Sequence, residues 1–212
     1  MQLAFGEARK LLNRYGLKTV RSSLCADRLG VLDASNRLRP PFVLKVVGGD
    51  VLHKTEKSLI FLNLESREDL EIALRKLSKR AKGLKFDGFL LQEQLKGVEL
   101  ILGGSRDPVF GPVVAFGSGG VLTELYKDIS LRVAPFSKKD ALEMIAETKA
   151  SAFFTGEGFR GRKASRDRVA SALVSLSKLM AERGEVSEVD LNPVIATQEA
   201  ATIVDARVIC HG

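Results

Sequence analysis

From Gly88 to Pro135 the chain reads as GFLLQEQL, VELILGG, GPVVAFG and ISLRVAP, four strand-like segments parted by turns. Short apolar segments in close succession pair as antiparallel neighbours, because a tight turn reverses the chain. The flanking sequence keeps this from being an all-β protein. Ala8, Leu11, Leu12 and Tyr15 recur at helical spacing and Gly16 stops the pattern. LKTVRSSL, FVLKVV and LIFLNL read as strands, and residues 27–41, DRLGVLDASNRLRPP, as a turn-rich connection with room for a short helix. Ser66 and Asp69 have the spacing of a capping box ahead of a helix whose face is Leu70, Ala73, Leu74, Leu77 and Ala81. Ser137 and Ser165 are N-caps for two later helices, the second carrying Val169, Ala172, Leu173, Leu176 and Met180. EVSEVDLNPVIA and ATIVDARVI close the chain as a hairpin-like pair. The expected class is α/β (α+β): a mixed lobe over residues 1–90 and a larger one over 91–212, with a ligand cleft where they join.

Composition narrows the function. At 212 residues the chain buries a sizeable core, and 45% hydrophobic with 28% charged residues is ordinary for a soluble protein. No apolar run approaches a membrane span, the N-terminus has no signal-peptide character, and two cysteines far apart point to a reducing cytoplasm. The net charge of +7 suits an anionic partner. The densest basic runs, RKLSKRAK and RGRKASRDR, lack interleaved aromatics, so they read as solvated surface and not as a nucleic-acid platform.

Several polar residues stand where packing alone would not put them. His53, in GGDVLHKTEKS, is the only histidine besides His211 and follows a strand and a glycine pair. Lys45 interrupts the apolar FVLKVV, where it either meets an anion or lies on a strand edge. Gln92, Glu93 and Gln94 break the next apolar run and Glu99 follows, a hinge for a base and ribose or a polar turn. Asn192 and Asp205 lie near the ends of adjacent strand patterns, where two hard oxygen ligands suit Mg²⁺. Spacing alone favours a strand-end Asn before proline and a surface Asp. FGSGGVLTEL permits close approach to a ligand but is a weak signal, and RDPVFGP reads as a turn.

EARKLLNRYGL, FVLKVVGGDVLHKTE, the segment from LLQEQL through LRVAP, FRG with its following helix, and EVDLNPV with IVDARV occur in order over nearly the whole chain. Together they resemble the β subunit of ADP-forming acyl-CoA synthetases, acetate–CoA ligases related to succinyl-CoA synthetase. The resemblance implies an ATP-grasp fold of two mixed lobes with the nucleotide cleft between them. It makes His53 a phosphohistidine carrier, Asp190 a carboxylate near the phosphoryl group, and Lys45 and Arg132 phosphate ligands. Gln92, Glu93, Gln94 and Glu99 become nucleotide contacts, and Asn192 and Asp205 the Mg²⁺ ligands. ATP or ADP is the bound nucleotide. A CoA-binding α subunit of the same enzyme is the implied partner and supplies the sites for acid and acyl-CoA. Nucleic acid and membrane are not expected partners.

Two departures from the family pattern stand out. TEKSLIFLNL has Lys57, Ser58 and Leu59 where the family carries a glycine pair, and residues 27–41 look shorter and less helical. The rival they leave open is a regulatory or degenerate nucleotide-binding subunit. A carboxylate–amine ligase would need no His53, and a nucleic-acid module ranks last.

Overall fold

The computed structural model describes residues 1–48, 59–119 and 128–211. Strands are β1 (Ser22–Cys25), β2 (Phe42–Val47), β3 (Ile60–Leu64), β4 (Gly88–Glu93), β5 (Val98–Asp107), β6 (Gly111–Ser118), β7 (Ile129–Val133), β8 (Val186–Ala196), β9 (Ala201–Ile203) and β10 (Ala206–Cys210). Helices are α1 (Phe5–Arg14), α2 (Arg28–Ser35), α3 (Arg67–Arg80), α4 (Lys138–Ala146) and α5 (Arg166–Glu182), with a 3₁₀ turn at Lys149–Phe153. Among these residues no helix is long and apolar enough to cross a membrane.

The chain divides into Val20–Leu95 and a larger unit of Met1–Thr19 with Lys96–Gly212. The sequence reading placed the N-terminal helix with the first lobe; the structure places it with the second. The cause is backbone pairing. Leu3 N–H donates to Val208 O at 2.9 Å, Cys210 N–H to Met1 O at 2.8 Å and Ile203 N–H to Lys18 O at 2.8 Å. Both ends of the α1 segment are thereby tied to the final strands.

The smaller unit is an antiparallel sheet in the order β1-β4-β2-β3. Phe42, Leu44 and Val46 of β2 pack with Phe89 and Leu91 of β4 against Val31 and Leu32 of α2 and Leu70, Leu74 and Leu77 of α3. All six β2 residues are buried, which explains why five of them are apolar and only Lys45 is not. GFLLQE therefore belongs to this sheet, although in sequence it reads as the first of four neighbours. Residues 28–35 are a full helix, started by Asp27, whose side chain accepts from Gly30 N–H at 2.8 Å.

In the larger unit the strand order is β10-β8-β5-β6-β7, with β9 also paired to β8. Leu100, Leu102, Val114, Phe116, Val189 and Leu191 face one side and meet Val169, Leu173, Leu176 and Met180 of α5. Gly104 permits this approach, since a Cβ there would lie 2.7 Å from Met180 Cγ. The other side of the sheet carries Glu188, Asp190 and Asn192 of β8, all exposed, because alternate residues of a strand point to opposite faces.

The expected caps form. Asp69 N–H donates to Ser66 Oγ at 3.1 Å, and Asp69 Oδ2 accepts from Ser66 N–H at 3.0 Å, closing the box at α3. Ser66 leads the causes that hold the Asp69 carboxyl below the ordinary aspartate range, with the Glu65 and Ser66 amides adding to it. Ser66→Ala should cost about 1 kcal/mol in equilibrium urea unfolding. The Asp69 contribution is present above the unfolded pKa of about 3.9 and is lost as pH falls through the lower folded value. Asp69→Asn should accordingly be destabilising at pH 6, with the difference from wild type shrinking on acidification below about pH 4.

Candidate functional site

In the smaller unit β2 and β4 decide what can meet a ligand. Lys45 lies opposite Leu90 and Val43 opposite Gln92. Lys45 and Gln92 are therefore diagonal neighbours on the sheet face away from α2 and α3. Both are deeply buried, at 2% and 1% exposed. Gln92 Oε1 is the one buried side-chain oxygen or nitrogen among the described residues with no hydrogen-bond partner. An orphaned buried amide oxygen costs on the order of 1–3 kcal/mol, so a ligand donor arriving there is favoured.

Glu93 and Gln94 are employed differently. Glu93 falls on the helix-covered face, where its Oε1 takes Arg21 Nη1 at 2.8 Å and the Arg39 N–H at 3.0 Å. Gln94 clamps Asn63 reciprocally, accepting from its N–H at 2.6 Å and donating to its Oδ1 at 2.8 Å. Asn63 adopts the left-handed conformation, φ 55°, that this clamp holds. Of the two hinge residues within β4, Gln92 shares a face with Lys45 and Glu93 does not. His53 lies outside the described residues.

In the larger unit β8 is decisive. Asp190 stands opposite Gly103 of β5 on one side and Arg207 of β10 on the other. Pairing of β8 with β5 shifts register between Leu100 and Leu102, which leaves the Asn192–Pro193 stretch as a bulge. A bulge re-aims the side chains it carries. Asn192 N–H donates to Asp205 O at 3.2 Å and Val204 N–H to Pro193 O at 3.0 Å, so the turn bearing Asp205 is held beside the bulge. Asp205 Oδ1 accepts from Ala206 N–H at 3.1 Å. Glu99 is exposed on β5, on the same face as Gly103.

Electrostatics report the same gathering. Partial loss of hydration is the leading cause that raises the Asp190 carboxyl above the aspartate range, although the residue reaches the surface. The charges of Glu188 and Asp205 push it further, and Arg207 pulls it back. Three carboxylates against one guanidinium leave excess negative charge on one face, which a divalent cation would relieve. Among the described residues no three His, Cys, Asp or Glu side chains gather as a metal site by themselves. The fitting set is an Asn with Asp residues, leaving coordination positions for water and phosphate. Glu188 and Arg207 were missed in the sequence; their alternation with Val189 and Val208 was the available signal.

Arg132 is not brought to this face. It pairs with Val114 on the helix-covered side, and its guanidinium grips Glu147 at the end of α4 through both nitrogens, one at 3.1 Å. Ser130 Oγ donates to the same carboxylate at 2.5 Å. The Arg132 contact is the first cause, and Ser130 the second, that holds Glu147 below the glutamate range.

Known proteins match this chain in sequence and fold. An ATP-grasp domain model covers residues 1–210. The β subunit of acetate–CoA ligase (ADP-forming) I from Pyrococcus furiosus is 35% identical over 209 residues, with 96% of this chain and 89% of that one covered. Acetate–CoA ligase (ADP-forming) II of Archaeoglobus fulgidus is 34% identical over 99% of this chain, which spans only 30% of that longer protein. A structure of the dinucleotide-forming acetyl-coenzyme A synthetase 1 of Ca. Korarchaeum cryptofilum, in complex with coenzyme A, Ca-AMPCP and HgCl⁺, superposes with TM-score 0.93 at 38% identity, covering 99% and 93% of the two chains. A second structure of that enzyme, with coenzyme A and Mg-AMPPCP, gives 0.86 at 36% identity over the same shares; in it the phosphohistidine segment points towards the nucleotide-binding site. The chain belongs to the ATP-grasp family, a fold that binds nucleotide, and within it to the β subunits of ADP-forming acid–CoA ligases.

The coupling on β8 is directly measurable by carboxyl NMR titration. Asp205→Asn and Glu188→Gln should each lower the Asp190 midpoint, because each removes a like charge. Arg207→Gln should raise it. A midpoint indifferent to all three would mean that the carboxylates do not face one another.

Proposed function

We propose that this chain is the nucleotide-binding β subunit of an ADP-forming acyl-CoA synthetase and relays phosphate through His53. The donor would be a phosphohistidine on a CoA-binding α subunit and the acceptor ADP, with acid and CoA bound by that partner. The observation that carries this reading is the joining of Asp190, Asn192 and Asp205 at the β8 bulge, a polyanionic face suited to Mg-nucleotide. The Korarchaeum enzyme, solved with Mg-AMPPCP and a phosphohistidine segment directed at the nucleotide, supports it.

Each residue then has a task set by its chemistry. The neutral His53 imidazole attacks phosphorus as the partner's N–P bond breaks, and a new N–P bond forms. In the second transfer a terminal oxygen of ADP forms the O–P bond while the His53 N–P bond breaks, returning the imidazole. Asn192 and Asp205 would hold Mg²⁺, which supplies charge neutralisation for the phosphate oxygens when bound. Asp190 stands next to them and orients the phosphoryl-bearing end. The buried Lys45 ammonium binds phosphate, since a charge in that position is favoured by an anion. Gln92 Oε1 accepts from the amino group of the base. Glu99 would meet the ribose hydroxyls, while Glu93 and Gln94 brace the β2–β4 sheet and Arg132 braces β7 against α4.

Two measurements test the reading. Intact-mass spectrometry at neutral to alkaline pH, after incubation with Mg-ATP and the α subunit, should show one acid-labile phosphoryl adduct. ADP should discharge it and His53→Ala abolish it. Nucleotide binding with no adduct would leave a subunit that keeps the grasp and has lost the transfer. Separately, Gln92→Met should weaken ADP binding about tenfold by calorimetry without lowering the unfolding midpoint, because it removes an unpaired acceptor and fills its volume. Unchanged ADP affinity would remove Gln92 from the base.

A further inference from the structure

The turn RDPVFGP has no part in the chemistry above, yet it holds the most exposed apolar pair among the described residues that sits on a pinned support. Val109 and Phe110, at the tip of the β5–β6 hairpin, are 80% and 66% exposed. Turn tips favour Asn, Asp and Gly; a branched and an aromatic side chain in water bring nothing to the isolated chain.

The tip is held from two sides. Asp107 Oδ1 accepts from the Val109 N–H at 2.8 Å and the Phe110 N–H at 2.9 Å. Gly111, at φ 75°, takes the left-handed conformation that returns the chain into β6. One pair below the turn, the Arg106 guanidinium donates to the carbonyls of Met180, Arg183 and Val186 at 2.7, 2.8 and 2.8 Å, locking the strand to the C-terminal end of α5. Apolar surface continues beside it. Ala134 N–H donates to Pro112 O at 2.7 Å, and Val133, exposed, lies opposite Val113. A rigid aromatic presented this way loses little entropy on binding.

We propose that the Val109–Phe110 tip is a docking knob that inserts into an apolar socket on the CoA-binding partner subunit. This rests on the reading of the chain as one subunit of a two-part enzyme. The relatives favour such an occupant. Chains of similar length in Pyrococcus furiosus are named as β subunits, and the Archaeoglobus relative carries the same region as 30% of one longer chain. The fold thus operates with further polypeptide, in trans or in cis. A net charge of +7 opposes docking of a second copy and favours a partner of opposite charge.

The test is binding of the cognate CoA-binding subunit to the full chain, by calorimetry and size-exclusion chromatography, beside ADP binding and the unfolding midpoint. Phe110→Ala should weaken subunit binding by about 30-fold or more, as loss of a central aromatic anchor does, and Val109→Ser by less. ADP affinity and unfolding midpoint should stay at wild-type values. Equal subunit affinity for wild type and Phe110→Ala would overturn the knob while leaving the relay reading intact. A loss of self-association in place of partner binding would also overturn it, assigning the tip to contact between copies. A wild-type chain that fails to bind the subunit would sink the two-part reading itself.

Discussion

The larger unit depends on β8, which is hydrogen-bonded to three strands. β10 pairs with its first half, β9 with its end, and β5 runs along its other side. Its core residues Val189, Leu191 and Val194 must meet α5, and strand alternation then consigns Glu188, Asp190 and Asn192 to the opposite face. A slip of one residue would bury those polar groups without partners, at several kcal/mol for the charges alone. The acidic face is therefore fixed by the same register that makes the hydrophobic core. The bulge at Asn192–Pro193 adds one local exception: the core side passes from Leu191 to Val194, and the backbone of Asn192 is held beside Asp205.

β2 plays the corresponding part in the smaller unit, with a different solution. Buried on both sides, it cannot alternate apolar with polar, and its single polar residue, Lys45, stands out for that reason. Burying an ammonium is costly unless an oppositely charged or hydrogen-bonding group meets it. Gln92, diagonal to it, brings an oxygen that the described residues leave unsatisfied. A stable small domain would normally have neither feature. Together they divide β2 and β4 into a structural face, packed on α2 and α3, and a face adapted to polar chemistry.

Much of this was legible in the sequence, for identifiable reasons. Ser66, Ser137 and Ser165 announce helix starts because their hydroxyls satisfy orphan amides, a local matter. Periodicity gave the strands and the faces of α3 and α5. It did not give sheet membership: VELILGG follows GFLLQE after a turn, yet the two go to different sheets, since long-range pairing is not encoded in spacing. The α1 segment was misplaced for the same reason, its partners lying nearly two hundred residues away in β9 and β10. At the site, residue type flagged Lys45, Gln92, Asn192 and Asp205. Glu93, flagged by type, and Arg132, expected only from the resemblance, lie on helix-covered faces, because only the parity of a strand position tells which face a charge occupies.

Arg132 also bears on how phosphate charge is managed. Its guanidinium is spent on Glu147, with Ser130 completing the contact, on the side of the sheet that holds α4 and the core. Moving it to the acidic face would leave Glu147 unpaired, and no rotamer takes a side chain through a sheet. In the proposed reaction, neutralisation therefore rests on Lys45 and on the cation that Asn192 and Asp205 would hold, not on an arginine. That assignment fits the signs of the two faces. A lysine is a compact point charge that follows a phosphate as it shifts, whereas a bidentate arginine fixes one geometry. Phosphoryl relay between two acceptors needs the first kind, and bracing an edge strand against a helix end uses the second.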